Sequence, residues 1–369
     1  MHIAIDARII NSSTGRYVER LLHYLQDIDE SNQYTILVRK NDIDYWTPRS
    51  KNFSVKVADF ADYSFAEQLG FKKLLDTLAP DLVHFCMPQQ PVLYTGNSVT
   101  TIHDLTLLNT YNSDKNWLVY HAKQFIGKFV FRRVSRTSEH IITPTEYVKK
   151  SLVEFAKIPQ GKVTVTLEAA EIVHETPEPY KPVIGKKFIL YVGSQSDYKN
   201  IKQLILAHQA LLVDKPDIHL VLVGKTTGKN GVAASKNKTW SESEGHKNII
   251  FTGFVPDEQL AWLYQNTQAY VFPSLMEGFG LPGLEAMISG APVASSNATC
   301  LPEVYGDAAV YFDPTSADDI AATIAKILDD ENLRQELIKK GYEQAAKYSW
   351  RRMAEQTHQV YMQALQDKS

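Results

Sequence analysis

Short apolar runs alternate with helically spaced apolar residues along this chain, and the alternation breaks once and then restarts. His2–Ile5 reads as a strand, after which Val18, Leu21, Leu22 and Leu25 recur at helical spacing. Tyr34–Val38, Leu82–Phe85, Val99–Ile102 and Ile141–Thr143 read as further strands, the last halted by Pro144. That rhythm calls for βαβ units and a parallel sheet. The segment ETPEPYKPVIGKK, residues 175–187, then crowds three prolines and a glycine into a stretch without periodicity, the composition of a linker. Beyond it, strands are expected at Phe188–Val192, Ile218–Val223, Ile249–Phe251, Ala269–Phe272, Pro292–Ala294 and Ala309–Phe312. Helical stripes fall at Ile201, Leu204, Ile205, Leu211 and Leu212, and at Ile320, Ile324, Ile327 and Leu328. Ser316 followed by Asp319 has the form of an N-terminal cap. Residues 225–247, rich in Lys, Ser and Gly, read as a polar, mobile loop. Met353, Val360, Tyr361 and Leu365 mark a final helix.

A chain of 369 residues exceeds what one core usually serves. The expectation is therefore two doubly wound α/β domains, 1–176 and 185–348, with 349–369 as a closing helix. Ligands of open α/β sheets bind beyond the carboxyl ends of the strands. Two such domains facing each other would set their chemistry in a cleft. A formal net charge of −3 argues against a nucleic-acid partner. Cys86 and Cys300 form no C-x-x-C pair and read as free thiols of a reducing compartment. The opening MHIAIDARII reads as a strand rather than a leader, and no run approaches the roughly 20 apolar residues of a membrane span. A cytoplasmic protein, at most peripheral at the inner membrane face, is expected.

Chemistry collects at Glu277-Gly278-Phe279-Gly280-Leu281-Pro282-Gly283-Leu284-Glu285, which follows a strand and opens a helix. Glycines let backbone N–H groups approach a ligand. Pro282 suits a first helical turn. A helix N-terminus offers unpaired donors and a positive dipole end, which together suit phosphate. The two flanking carboxylates would each face hydroxyls, since a carboxylate accepts two such bonds. A phosphate cradle between two hydroxyl-binding acids has the layout of a nucleotide sugar. The plain structural alternative is a Gly-rich turn with surface acids.

Glu277 and Glu285 around G-F-G-L-P-G resemble the E-x7-E signature of family 4 retaining glycosyltransferases, which have the GT-B fold. The resemblance covers nearly the whole chain: IDAR…GRY at the start, HDL after a mid-chain strand, PTEYVKKSL, VGS…KN, LVGK and LPEVYGDAAVYFDP. It implies two Rossmann-like domains, the C-terminal one holding the donor, the N-terminal one the acceptor, and a last helix crossing back to the first domain. It further implies that Glu277 contacts the donor sugar and Glu285 the ribose. Gly278, Phe279, Gly280 and Leu281 line the diphosphate, and Lys199 neutralises it as it leaves. The same resemblance implies that His103 lies by the donor sugar; Asp104, next in sequence, is a candidate to orient its ring. Gly15 and Arg16 at the first helix face the diphosphate, and Lys225 is a further cation. The implied reaction is same-face substitution with retained configuration, using no metal and no cofactor. IDAR…GRY and the HDL context look most like bacterial polysaccharide mannosyltransferases, which use GDP-mannose, with a glycan or lipid-linked glycan as acceptor; a UDP-sugar is the other donor class.

The chain departs from the family pattern in places. Ser13 stands where a glycine is common, Tyr198 and Ser194 where arginines occur, and Glu168-Ala169-Ala170-Glu171 where Asn-Gly is usual. Residues 115–136 carry Lys115, Lys123, Lys128, Arg132, Arg133 and Arg136 and no acid. Phe125, Ile126, Phe129 and Val130 share one face, which reads as core-facing with a solvated basic side. The alternative is a surface for anionic lipid. Three rival functions remain. A nucleotide-sugar epimerase of the same fold would turn over donor without acceptor. An inactive nucleotide-sugar-binding relative would bind without transfer. A NAD-dependent oxidoreductase lacks a G-x-G-x-x-G after the first strand.

Overall fold

Each half of the interrupted rhythm builds its own parallel sheet. The computed structural model describes residues 1–12, 14–61, 64–109, 117–225 and 231–366, without the side chains of 107, 109 and 117–123. The chain divides into two units, Met1–Glu168 with Ser349–Ser369, and Ala169–Tyr348.

The first unit runs β1 (His2–Asp6), α1 (Gly15–Ile28), β2 (Gln33–Val38), β3 (Phe53–Val57), α2 (Lys72–Leu78), β4 (Leu82–Phe85), β5 (Ser98–Thr101), α3 (Thr106–Asn109), α4 (Trp117–Thr137), β6 (His140–Thr143), α5 (Glu146–Ala156) and β7 (Val163–Val165). The second runs β8 (Phe188–Val192), α6 (Ile201–Leu211), β9 (His219–Val223), α7 (Val232–Ser243), β10 (Ile249–Gly253), α8 (Asp257–Asn266), β11 (Ala269–Phe272), α9 (Leu281–Ile288), β12 (Val293–Ser296), α10 (Leu301–Tyr305), β13 (Ala309–Phe312), α11 (Ala317–Asp329) and α12 (Glu331–Ala345). α13 (Trp350–Gln366) returns to the first unit.

Among the described residues the first sheet has strand order β3-β2-β1-β4-β5-β6-β7 and the second β10-β9-β8-β11-β12-β13. Every ladder is parallel, from Ile3 opposite both Tyr34 and Leu82 to Tyr270 opposite Val293. Central strands such as β4, β8 and β11 are apolar or buried throughout because helices cover both faces. Strand order reverses at β1–β4 in one sheet and at β8–β11 in the other. Those two crevices are where such sheets take ligands.

Three stretches differ from the sequence reading. The edge strands β3 and β7 escape it because an edge carries little apolar signal; β3 buries only Phe53 fully. Within 225–247, residues 232–243 form helix α7, whose buried face is Ala234, Asn237 and Ser241 rather than large apolar residues. The proline-rich 175–187 is mostly exposed but is pinned to the second unit at two points. Val183 lies in the second core and Tyr180 against it, and the unit boundary falls earlier, at Glu168/Ala169. The Ser316 cap forms as expected, its hydroxyl accepting from Asp319 N–H at 3.2 Å.

α13 is stapled to the first unit by polar bonds as well as by its apolar face. Tyr361 meets His84 Nδ1 at 2.5 Å, His358 Nε2 meets Asp29 at 3.0 Å, and Asn97 donates to the Ala364 carbonyl.

Candidate functional site

In the second unit the site grows from the β8–β11 switch point. Gly193 ends β8 at φ +146°, and residues 197–199 then make a single 3-10 turn. Asn200 takes a left-handed conformation at φ 62°. Its amide donates to the carbonyls of Pro273 at 3.1 Å and Pro314 at 2.6 Å, tying the loop after β8 to the ends of β11 and β13. Leu275 N–H donates to the Tyr198 carbonyl, which closes the same junction. The loop so fixed brings Lys199 Nζ to 2.5 Å from Glu277 Oε1, across 78 residues of sequence. The two side chains are 13% and 11% exposed. The Lys199 ammonium also lies 5.1 Å from the Tyr198 ring centre and 5.5 Å from that of Phe272.

Glu277 is itself held: its N–H donates to Thr299 Oγ1, and its carbonyl accepts from Cys300 Sγ. Burial first, and the Glu277 charge second, push the phenols of Tyr191 and Tyr305 well above the ordinary tyrosine range. Gly280 caps α9 at φ +94°, a conformation costly for any side chain. A Cβ at Gly283 would sit 2.2 Å from the Tyr305 hydroxyl, and one at Gly280 would sit 2.5 Å from it. That hydroxyl donates to the Gly280 carbonyl at 2.6 Å. The glycines thus admit a tyrosine under the loop, a role the sequence reading did not give them. Phe279 is 5% exposed and packs edge-on against Tyr348, so its side chain belongs to the core and only its backbone faces the loop. Leu281 is likewise packed against the core. Glu285 is 5% exposed and accepts from the Tyr264 hydroxyl at 3.3 Å. Lys225 is exposed at the end of β9.

In the first unit His103 lies just past β5, Cys86 just past β4 and Glu168 just past β7, all at the carboxyl edge of one sheet. His103 Nε2 donates to the Cys86 carbonyl at 3.0 Å, and Nδ1 faces Glu168 Oε1 at 3.2 Å. Tyr17 meets the ring edge-on at 4.8 Å between centres. Asp104 does not orient this ring; its carboxylate accepts instead from Thr106 N–H at 2.8 Å, at the start of α3. Glu168 has the place expected of Asp104, and sequence gave no hint of it beyond a departure from Asn-Gly. Gly15 is buried where a Cβ would meet the Ile10 carbonyl at 1.8 Å, so close packing at the head of α1 is enough to demand glycine there. Arg16 is exposed.

The basic helix departs from its expected packing. α4 buries Phe131, Val134 and Ser135, while Phe125, Ile126 and Phe129 stand 76%, 54% and 56% exposed beside Lys128, Arg132, Arg133 and Arg136. The core-facing reading fails because the buried stripe, Phe131, Val134 and Ser135, lies on the other face of the helix. Lys115 and the Lys123 side chain lie outside the described residues.

Residues 174–344 match the family of glycosyl transferases group 1, and residues 14–166 match glycosyltransferase family 4. The chain is 31% identical over 276 residues to the O-antigen chain mannosyltransferase B of Escherichia coli, covering 72% of this chain and 70% of that one. It is 29% identical over 277 residues to the serotype-specific mannosyltransferase WbdA of Escherichia coli, covering 73% of this chain and 34% of the relative. In structure it is similar to sucrose-phosphate synthase from Thermosynechococcus elongatus, with a TM-score of 0.78, 18% identity and full coverage of both chains. Two parallel-sheet units and these matches define a glycosyltransferase of the GT-B fold. The chain belongs to glycosyltransferase family 4, close to the mannosyltransferases.

Proposed function

We propose that the protein transfers mannose from GDP-mannose to a hydroxyl of a glycan or lipid-linked glycan, with retention and without a metal ion. The observation that carries the reading is the Lys199–Glu277 pair at the mouth of the glycine loop, an ammonium poised for phosphate beside a carboxylate poised for sugar hydroxyls. The mannosyltransferase relatives favour mannose as the sugar.

In this mechanism the nucleoside diphosphate departs first. Lys199 and the N–H groups of Gly278, Phe279, Gly280 and Leu281 take up its growing charge. Arg16, Gly15 and Lys225 are further candidates on the diphosphate. Glu277 holds hydroxyls of the transferred sugar, Glu285 those of the ribose, and His103 lies against the sugar. The acceptor hydroxyl attacks from the face the phosphate leaves, and a phosphate oxygen takes its proton. The anomeric carbon–oxygen bond to phosphate breaks, one to the acceptor oxygen forms, and configuration is kept.

Thermal stabilisation by GDP, UDP, ADP and their sugar conjugates tests the donor, because a ligand that binds only the folded chain raises its stability. GDP-mannose is expected to stabilise most, and transfer with it to continue in EDTA. A larger shift with a UDP-sugar would overturn the donor. Donor turnover equally fast without acceptor would favour the epimerase, and binding with neither turnover nor transfer the inactive relative.

The exposed aromatic and aliphatic residues of α4 favour a second contact, with an anionic membrane surface at the cytoplasmic face. Three apolar side chains among four cations suit an interfacial helix. Among the described residues no helix is long and apolar enough to cross a membrane. Retention on phosphatidylglycerol vesicles that is lost in Phe125→Ser/Phe129→Ser supports it, and equal recovery of both proteins in the supernatant at low salt refutes it.

A further inference from the structure

The His103 ring presents both nitrogens to oxygen atoms of the protein. The Cys86 carbonyl can only accept, so Nε2 carries a hydrogen. Nδ1 then faces Glu168 Oε1 at 3.2 Å, and a lone pair aimed at a carboxylate would be repelled. One further proton must lie between ring and carboxylate, whichever atom it is nearer. Among the described residues the ring has no second ion pair. Burial drives His84 down to about 3, so that ring stays neutral, and burial also pushes the Tyr17 phenol and the Cys86 thiol up, so both stay protonated. Asp104 is committed to Thr106. With side chains only 13% and 7% exposed, His103 and Glu168 have little water to replace this bond.

We propose that Glu168 is a positioning residue that holds His103 as a fixed imidazolium, so that His103 serves the transfer reaction as an oriented cation and never as its base. A ring without a free lone pair cannot take the acceptor proton, which leaves that proton to the departing phosphate. The catalytic consequence rests on the donor reading above; the protonation state rests on the first unit alone.

Three variants separate charge from orientation. Glu168→Gln keeps a hydrogen bond to Nδ1, its amide donating to a neutral ring, but removes the charge. Glu168→Ala removes both, and Glu168→Asp keeps a carboxylate. Imidazole ¹⁵N shifts of the full chain at pH 7.5, assigned through His103→Asn, are expected to show two protonated nitrogens in wild type and Glu168→Asp, and one in Glu168→Gln and Glu168→Ala. Transfer from GDP-mannose is expected to fall in kcat by about 10- to 100-fold in Glu168→Gln, as for loss of a charged hydrogen bond. Donor KM and the melting temperature should stay near wild type. A neutral His103 in the wild-type spectrum overturns the proposal, as does a Glu168→Gln enzyme with wild-type kcat. If no nucleotide sugar supports transfer, the donor reading fails while the spectra still decide the pair.

Discussion

Replacing Lys199 by alanine separates what its amine does for the empty protein from what it does in the reaction. At 2.5 Å the ammonium and the Glu277 carboxylate attract by about 7 kcal/mol at an effective dielectric of about 20. Both side chains are nearly buried, so desolvation offsets most of that gain. What the variant loses is larger than the net worth of the pair, because Glu277 keeps its charge and loses its partner. Breaking a pair of this kind costs about 3 kcal/mol. For a unit of this size that corresponds to roughly 6–12 °C in melting temperature. Adding Glu277→Gln to Lys199→Ala removes the stranded charge and should restore most of the loss. Catalysis should not recover. Losing one donor to a developing oxyanion costs about 10²–10³ in kcat, and the double variant lacks a sugar contact as well. The assays are melting curves without ligand and initial rates at saturating GDP-mannose. A Lys199→Ala enzyme with wild-type kcat would refute the role in leaving-group stabilisation. A double variant no more stable than the single would refute the electrostatic account of the pair.

Further expectations follow from the packing. Gly283→Ala would set a methyl 2.2 Å from the Tyr305 hydroxyl, and this overpacking should cost about 1–3 kcal/mol in a thermal melt even without substrate; wild-type stability would return the glycine to a purely ligand-facing role. His84, driven by burial down to about 3, stays neutral in the native state while the unfolded chain protonates near 6.5. Stability should therefore be full above about pH 6.5, and His84 should contribute a fall of about 1.4 kcal/mol per pH unit below it, a contribution lost in His84→Gln. His208, lowered by burial to about 4, should supply the slope that remains, and an unchanged slope in His84→Gln would refute the assignment. Burial alone would raise the Asp29 carboxyl, but hydrogen bonds from Tyr34, Asn32 and Ser31 hold it well below the usual range. Asp29→Asn should cost about 1–3 kcal/mol at pH 7. That deficit should shrink as pH falls below about 4, where the native carboxylate loses its advantage over the unfolded one; a deficit constant down to pH 2.5 would contradict it.

Legibility in the sequence tracked the range of the forces involved. The central strands stood out because a parallel strand covered on both faces must be apolar throughout, and β4, β8 and β11 have the boundaries their residues predict; the edge strand β13, apolar along its length, does so too. β3 and β7 at the sheet edge and α7 with its small-residue face carry no such signal. The loop Glu277–Glu285 was legible because its parts are contiguous. Lys199 could be nominated from its place after a strand, but its partner 78 residues away could not. Glu168 was invisible as a partner of His103, 65 residues distant, for the same reason. On α4 the apolar residues were read correctly and their burial was not. Periodicity gives a face, and only the packing of Phe131, Val134 and Ser135 shows which face turns inward.

The glycine loop shows why such a motif is stronger evidence for a shape than for a ligand. Gly280 needs a left-handed backbone, and both Gly280 and Gly283 leave room for Tyr305. Those two demands would exist in an empty fold. What they produce is a helix start whose backbone is braced from beneath by the Tyr305–Gly280 bond, so its N–H groups need not rearrange when charge arrives. Glu277 is braced likewise by Thr299 and Cys300. Tyr305→Phe therefore distinguishes support from contact. It removes about 1 kcal/mol of hydrogen bonding beneath the loop while leaving every side chain assigned to the donor in place. If preorganised N–H groups carry the catalysis, kcat should fall in this variant while the Lys199→Ala variant retains its bracing and fails for want of charge alone. Unchanged kcat in Tyr305→Phe would place the burden on Lys199 and leave the loop a passive fit.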